Sequence, residues 1–352
     1  MEVLAPYFKS LQSEESISAY FASSVLGSPM VRLLYWQGKP AVHWSLFPFP
    51  FWIDGKKTIG GKPELAAIHR DVIFHFPRPD LFGMVADELL AQAREAGWPL
   101  LVTSPAPRGR RAANKKEFHD VAMPVMETIW PLRVEAFVPR AIGYADRRYP
   151  KLSKAIPSPL LRGTIRCALK TLMAITRIRT ACSRSVYELI ELPLEDLERY
   201  SSFTENNYWP DRRLTVWREP NFLLTRLRTK AGYKLLGIRS RVERKIIGLA
   251  IVHSDEGTVS LLEVLPPTLI LERELWLDLI RFAVQAGAKS LNAQLYLNDS
   301  LQAAAARMLQ KRMPTLAVRT SVSFSALAID PRLTFAYDVN AWAGTTMLMM
   351  GF

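Results

Sequence analysis

The chain has 352 residues, 49% of them hydrophobic and 22% charged, and carries 46 Lys and Arg against 33 Asp and Glu for a formal net charge of +13. That length suits two domains of ordinary size, each able to bury its own core. Two cysteines, Cys167 and Cys182, exclude a disulfide framework, and five histidines scattered at positions 43, 69, 75, 119 and 253 lack the close pairing that a metal site on one helix or hairpin needs.

Met1-Glu-Val-Leu-Ala-Pro6 has no basic region leading into an apolar run, and no apolar stretch is long enough to span a bilayer. A cytoplasmic protein is expected, with peripheral contact with the inner membrane left open. Val31 to Trp36 and Ala41 to Ile53 read as an apolar hairpin about a Gln37-Gly38-Lys39 turn, and Asp54-Gly55 signals a second turn. Pro48 and Pro50 cannot donate to a ladder, so the second arm is expected to be bulged or an edge there. After Ile59-Gly60-Gly61, Leu65 to Phe76 suits a strand covered on both faces, and an irregular break separates it from the helix that follows. A helix follows, with Asp80 as its N-cap and Leu81, Val85, Leu89, Ala93 and Ala96 on one face. Gly97 stops it, and Leu100 to Thr103 resumes a strand.

The same layout recurs later. Lys234 to Arg239 and Lys245 to Val252 form a hairpin, Asp255-Glu256-Gly257 a turn, and Thr258 to Val264 the next strand. A helix is expected from about Leu271 to Ala286, with Glu272 and Glu274 in its first turn and Gly287 past its end. The endings Ala93-x-x-Ala96-Gly97 and Ala283-x-x-Ala286-Gly287 coincide, so two copies of one domain are the economical reading. Ser290 to Leu297 continues as a strand, and Asn298-Asp-Ser leads into a helix from Leu301 to Arg312.

Between the copies, residues 151–184 hold eight basic and no acidic side chains. Residues 1–150 hold 18 basic and 15 acidic, and residues 185–352 hold 20 and 18, so most of the net charge lies in this linker. Leu161, Ile165, Ala168, Leu169 and Leu172 share one helical face, with Arg162, Arg166, Lys170 and Arg177 around the rest. Two readings follow: an interdomain helix packed by its apolar face, or a basic amphipathic helix on an anionic membrane surface.

The segment Asp71-Val-Ile-Phe-His75 followed by Leu81-Phe82, with Ala93-Arg-Glu-Ala-Gly97 and Lys116-Glu-Phe118, resembles the landmarks of GNAT-type N-acetyltransferases, in particular the tandem two-domain GNAT-like proteins met in bacterial polysaccharide and cell-envelope gene neighbourhoods. In the second half, Asn298 with Ala304 to Leu309 is similar to the passage that follows the fifth strand in that family, and Trp217-Arg218-Glu-Pro220 resembles the opening of its second domain. The resemblance implies an α/β (α+β) fold of two GNAT-like domains, 1–150 and 185–352. Each would be a mixed, mostly antiparallel sheet flanked by helices, and residues 151–184 would form a basic helical linker. It also implies acetyl-CoA, or another acyl-CoA, as cofactor.

The chain departs from the family at the pyrophosphate turn. Phe76-Pro77-Arg78-Pro79-Asp80 has no glycine before Gly83, two prolines remove amide donors, and Asp80 is negative where phosphate would lie. Arg78 and Gly83 are the remaining candidates to hold the cofactor there, and this first site reads as degenerate. Leu265-Pro-Pro-Thr-Leu-Ile270 lacks the glycine pair too, but Val264, Leu265 and Asn298 are candidate cofactor contacts in the second half, which reads as the active one. Acyl transfer needs a base for the amine and an acid for the leaving thiolate. Glu263 and Tyr296, on neighbouring strands, are candidates for these roles, against the alternatives of a solvent-facing edge glutamate and a satisfied core tyrosine. Trp217 and Arg218 could line an acceptor cleft or simply cap a sheet.

A serine-hydrolase elbow, a Walker loop and a dinucleotide fingerprint are all missing. The expectation is therefore an acyl-CoA-dependent N-acyltransferase acting on an amino sugar, amino acid or peptide amine in envelope or polysaccharide metabolism. Two alternatives stay open: a non-catalytic GNAT-like scaffold or membrane-surface partner, and a Fem-type aminoacyl-tRNA-dependent transferase whose tRNA would meet the basic linker.

Overall fold

The computed structural model describes residues 13–22, 24–69, 72, 81–104, 110, 113–148, 158–205, 212–228, 231–313 and 315–343. In chain order these form α1 (Glu14–Ala22), β1 (Met30–Trp36), β2 (Lys39–Ile53), β3 (Lys56–Ile68), α2 (Leu81–Glu95), β4 (Leu100–Thr103), β5 (His119–Pro131), α3 (Val134–Arg148) and α4 (Ser158–Cys182). Then come β6 (Tyr187–Leu192), β7 (Leu214–Val216), α5 (Pro220–Arg228), β8 (Tyr233–Ser240), β9 (Ile246–Asp255), β10 (Thr258–Leu265), a 3-10 turn (Pro267–Leu271), α6 (Arg273–Gln285), β11 (Ser290–Tyr296), α7 (Ser300–Arg312) and β12 (Leu316–Ala328). The architecture is mixed α/β, with mostly antiparallel sheet flanked by helices.

Contacts group the chain into two compact units, neither of them a single stretch. The first gathers residues 1–123, 197–231 and 321–352; the second gathers 124–196 and 232–320. These bounds differ from a division at 150 and 185.

In the first unit, β1, β2 and β3 are successive antiparallel neighbours, β4 joins β3 in parallel, and β12 pairs antiparallel with β4. The strand expected to begin at Leu65 starts instead at Lys56, and β3 runs without interruption through Ile59-Gly60-Gly61 to Ile68. A Cβ at Gly60 would lie 2.2 Å from the Leu100 carbonyl oxygen, and one at Gly61 would lie 2.5 Å from the Trp98 ring. The glycine pair is thus required by the close approach of β4, not by a turn. The rest of the strand expected over 65–76, beyond residue 69, lies outside the described residues apart from Val72. Pro48 and Pro50 sit in a strand with β3 on one side throughout. On its other side β1 pairs only as far as Leu46 and β7 begins only at Phe51, so both prolines fall where β2 is locally an edge.

Helix α2 buries Val85, Leu89 and Ala93 as its spacing predicts, joined by Gly83, Ala86 and Leu90. Burying a Val or Leu contributes about 1.5–3 kcal/mol each, enough to fix the helix on the sheet. It ends as read: Gly97 has φ +69°, its N–H bonds to the Arg94 carbonyl at 3.0 Å, and the Trp98 N–H reaches the Ala93 carbonyl at 2.9 Å. Helix α6, in the second unit, ends identically: Gly287 has φ +71°, with bonds Gly287 to Val284 at 3.0 Å and Ala288 to Ala283 at 2.9 Å. Both are Schellman caps, which need a left-handed residue past the last turn.

In the second unit the strand order is β5-β11-β10-β9-β8-β6. Its core runs from β8, β9 and β10 to Leu275, Trp276, Leu279 and Ile280 of α6, and Trp276 meets Trp130 of β5 with ring centroids 5.3 Å apart. Helix α4, the expected linker, packs here against α3 and α6. Leu169, Met173 and Thr176 are its buried residues, with Ile165 packed alongside Phe137 and Val138 of α3. The packed-helix reading of its apolar face holds, except that Ala168 is exposed.

Candidate active site

The two strands of the second unit that matter are β10 and β11. They pair in parallel over four residues, from Thr258 with Ser290 to Leu261 with Ala293. Past that point the pairing between them ends. Strand β10 stays with β9 as far as Leu265 opposite Leu249, and β11 stays with β5 as far as Tyr296 opposite Val125. Each strand therefore keeps its outer partner while the inner edges, Leu262 to Leu265 and Gln294 to Tyr296, are released from one another. A parting of this kind between parallel strands is where an extended ligand can pair with a strand edge.

The parting coincides with a bulge. Leu261 faces Val252 and Glu263 faces Ile251, so Leu262 is an extra residue on β10. A bulge re-aims the side chains that follow it. Before it, buried and half-buried residues alternate; after it, Glu263, Val264 and Leu265 are all buried. Glu263, the expected base, is thus a buried carboxylate and not a solvent-facing edge residue.

Tyr296 is 1% exposed, and its hydroxyl has no hydrogen-bond partner among the described residues. Burial first, and then the Glu263 carboxylate, push the phenol above its ordinary pKa. The two candidate catalytic residues are therefore close enough to interact electrostatically, and Tyr296 holds its proton at neutral pH.

Asn298 lies in the turn that follows β11, buried to 8% exposure. That turn is tightly held: Leu297 N–H bonds to the Pro124 carbonyl at 2.7 Å, and the Gln302 side chain accepts from the Tyr296 N–H at 3.0 Å. Asp299 caps α7 by accepting from the Gln302 N–H at 3.0 Å. Gln302 went unnoticed in the sequence, although Asp299 followed three residues on by Gln302 has the spacing of a capping box.

Val264 and Leu265 lie on the released edge of β10. Beyond them the cofactor features thin out. Pro266 and Pro267 bring no amide N–H, and Glu272 stands at the N-cap of α6 without a side-chain capping bond. Arg273 brings a guanidinium to the same turn, 3.8 Å from the Glu274 carboxylate.

The remaining candidates lie in the first unit. Arg218 is fully buried and donates to Thr215 Oγ1 at 2.9 Å and the Val216 carbonyl at 2.5 Å, so it straps its own turn after β7. The Trp217 N–H meets the Pro50 carbonyl at 3.2 Å, and Lys57 Nζ lies 4.4 Å from its ring centroid. Both residues follow β7, which pairs with β2 over Phe51 to Ile53. Gly83 is inside α2, buried. Arg78 lies outside the described residues.

A second polar constellation was not anticipated. Glu64 of β3 lies 3.1 Å from Lys62 Nζ and 3.5 Å from Arg226 Nη1 of α5, and accepts a hydrogen bond from the Tyr20 hydroxyl of α1. Lys62 and Arg226 are each 2% exposed. Burial and Glu64 raise the Tyr20 pKa, while burial lowers that of His43, whose Nδ1 lies 2.7 Å from the Leu65 carbonyl. The sequence signal was present: Lys62 and Glu64, two charged residues at spacing two within β3, share one face.

No protein-family model matches this chain, and no curated protein does. Solved structures do. A conserved protein of unknown function from Enterococcus faecalis V583, named as a probable N-acyltransferase, superposes with TM-score 0.58 at 12% identity, over 93% of this chain and 69% of that one. A GCN5-related N-acetyltransferase from Anabaena variabilis gives TM-score 0.56 at 12% identity, over 93% and 68%. Another from Kribbella flavida gives 0.55 at 10% identity, over 94% and 69%.

Proposed function

We propose that this chain, which has the fold of the GCN5-related N-acetyltransferases, is an acyl-CoA-dependent N-acyltransferase whose reaction centre lies between β10 and β11. The observation that carries this is the parting of the two strands past Leu261 and Ala293, with a buried Glu263 on one strand and a buried Tyr296 on the other. The released edges fit an extended pantetheine arm, which needs backbone partners on both sides. The diphosphate end fits less well, because Pro266, Pro267, Glu272 and Glu274 stand where a glycine turn would offer amides, leaving Arg273 as the cation at that turn. Acyl-CoA, when bound, supplies an activated carbonyl and a thiolate leaving group.

The residues supply the proton movements. Glu263 accepts a proton from the attacking amine, directly or through a water, as the new C–N bond forms and the C–S bond breaks. Tyr296, which burial and the Glu263 carboxylate keep protonated, donates its proton to the departing sulfur. Released N–H groups on β10 near Val264 and Leu265 polarise the carbonyl. Asn298 anchors the far side of the arm from its turn. The acceptor is an amine of an amino sugar, amino acid or peptide, and tandem GNAT-like halves are favoured by the parallel β3–β4 contact at Gly61 and Leu101, which repeats the β10–β11 arrangement.

The test is calorimetric titration of acetyl-CoA and longer acyl-CoAs, followed by thiol release with an amine panel. Micromolar binding weakened about tenfold or more by Asn298→Ala is expected. Turnover should fall by 10²-fold or more in Glu263→Gln, with Kd unchanged, as loss of a general base predicts. Absence of acyl-CoA binding to the folded protein would sink the reading and leave a non-catalytic role, which the acidic, proline-bearing start of α6 favours.

A further inference from the structure

Helix α4 has a second apolar face, opposite the one packed on α3 and α6. Leu160 is 64% exposed, Ile178 61% and Ile175 39%. At 100° per residue, Leu160, Cys167, Thr171, Ala174 and Ile178 fall within one narrow stripe, with Gly163 on one border and Thr164 and Ile175 on the other. Every one of these residues is exposed except that Ile175 is only just so. Arg166, Lys170 and Arg177 line one flank of the stripe and Arg179 lies on the other. Arg166 is ion-paired with Glu135 of α3 at 3.0 Å, whereas the stretch 151–184 contains no acidic side chain of its own. A groove of about 680 Å³ between α3 and α4, lined by Val138, Ile142, Arg162 and Arg166, runs along the same basic flank.

A water-soluble helix normally turns its charged face outward, directly opposite its packed face. Here the outermost line is apolar or small and the cations are displaced to its borders. That is the arrangement of a helix lying flat on a lipid surface, where apolar side chains enter the acyl boundary and Lys and Arg stay at headgroup level. We infer that the outward face of α4 docks on an anionic phospholipid bilayer. The complementarity is of charge as well as polarity, because the surrounding cations match acidic headgroups and nothing acidic on α4 opposes them. No helix among the described residues is long and apolar enough to cross a membrane, so the attachment is peripheral. This inference is independent of the acyltransfer reading: it concerns another surface and does not need a working site.

The experiment is co-flotation of the full-length protein with vesicles of 30% phosphatidylglycerol in phosphatidylcholine, against phosphatidylcholine alone. Two variants accompany it, Leu160→Ser/Ile175→Ser/Ile178→Ser and Lys170→Glu/Arg177→Glu, all at exposed positions, with circular dichroism to establish that both remain folded. The expected result is binding to the anionic vesicles only, weakened at least tenfold by each variant and reduced by high salt. A Cys182→Ser protein labelled at Cys167 with an environment-sensitive dye should blue-shift on the same vesicles. Failure of the wild type to float, or flotation that neither variant changes, overturns the inference. So does a wild-type dimer that the triple serine variant converts to monomer, since the stripe would then be covered by a second copy.

Discussion

Single side chains in this protein are set by what surrounds them, and His43 gives the sharpest case. It is 3% exposed in β2, its Nδ1–H donates to the Leu65 carbonyl, and burial lowers its pKa. The folded protein therefore binds fewer protons at this site than the unfolded chain once pH drops below about 6.5, the ordinary value for histidine. Its contribution to stability is fully present above that pH and is lost as pH falls toward the folded value. Denaturation midpoints at pH 7.5 and 5.5 should show a larger acid loss for wild type than for His43→Asn, whose amide can replace the Nδ1–H. Equal losses would mean that His43 does not titrate with folding. Glu263 and Tyr296 were legible as candidates because a carboxylate in an apolar strand and a tyrosine on the next strand are unusual in composition. The burial of Glu263 was not, because it follows the bulge at Leu262, which leaves no mark in the residue types. Arg218, a candidate because it stands next to a tryptophan, proves fully buried, with its Nη1 donating to Thr215 and Val216.

At the scale of elements, glycine separates two kinds of constraint. Gly97 ends α2 with φ +69°, and a Cβ there would meet nothing within 4 Å; Gly60 has ordinary φ, but its Cβ would strike the Leu100 carbonyl oxygen at 2.2 Å. Gly97→Ala should therefore cost about 1 kcal/mol, the price of a left-handed alanine. Gly60→Ala must push β4 away from β3 and should cost about 2 kcal/mol or more. Thermal melts would separate them, the second falling by roughly 5 °C or more; equal shifts would mean that β4 yields easily. Helix ends, hairpins and the buried face of α2 at Val85, Leu89 and Ala93 were readable because each depends on local geometry with a fixed period or a fixed cap. The start of β3 at Lys56 was not, because only the approach of Trp98 and Leu100 from outside the segment accounts for Gly60 and Gly61 inside a strand.

For the whole molecule, repetition in the sequence suggests two successive halves, whereas contacts collect distant stretches into each unit. The second unit takes its end strand β5 and helices α3 and α4 from before residue 185, and the first takes β7, α5 and the end of β12 from after it. Within the second unit, β11 is paired along its whole length with β5, from Ser290 opposite Pro131 to Tyr296 opposite Val125. A fragment of residues 185–352 would leave β11 without that partner and would expose Leu291 and Leu295, both under 5% accessible in the full chain. It would also uncover Trp276 where Trp130 now lies against it. Exposed backbone on a long apolar strand invites aggregation instead of folding. The fragment should thus lack a cooperative melt and a near-ultraviolet dichroism signal, whereas a longer fragment, 124–320, keeps β5, α3 and α4 with β6 and β8 to β11 and should retain more of both. If 185–352 melts cooperatively by itself, the two halves fold as successive domains and the grouping by contacts is not the folding unit.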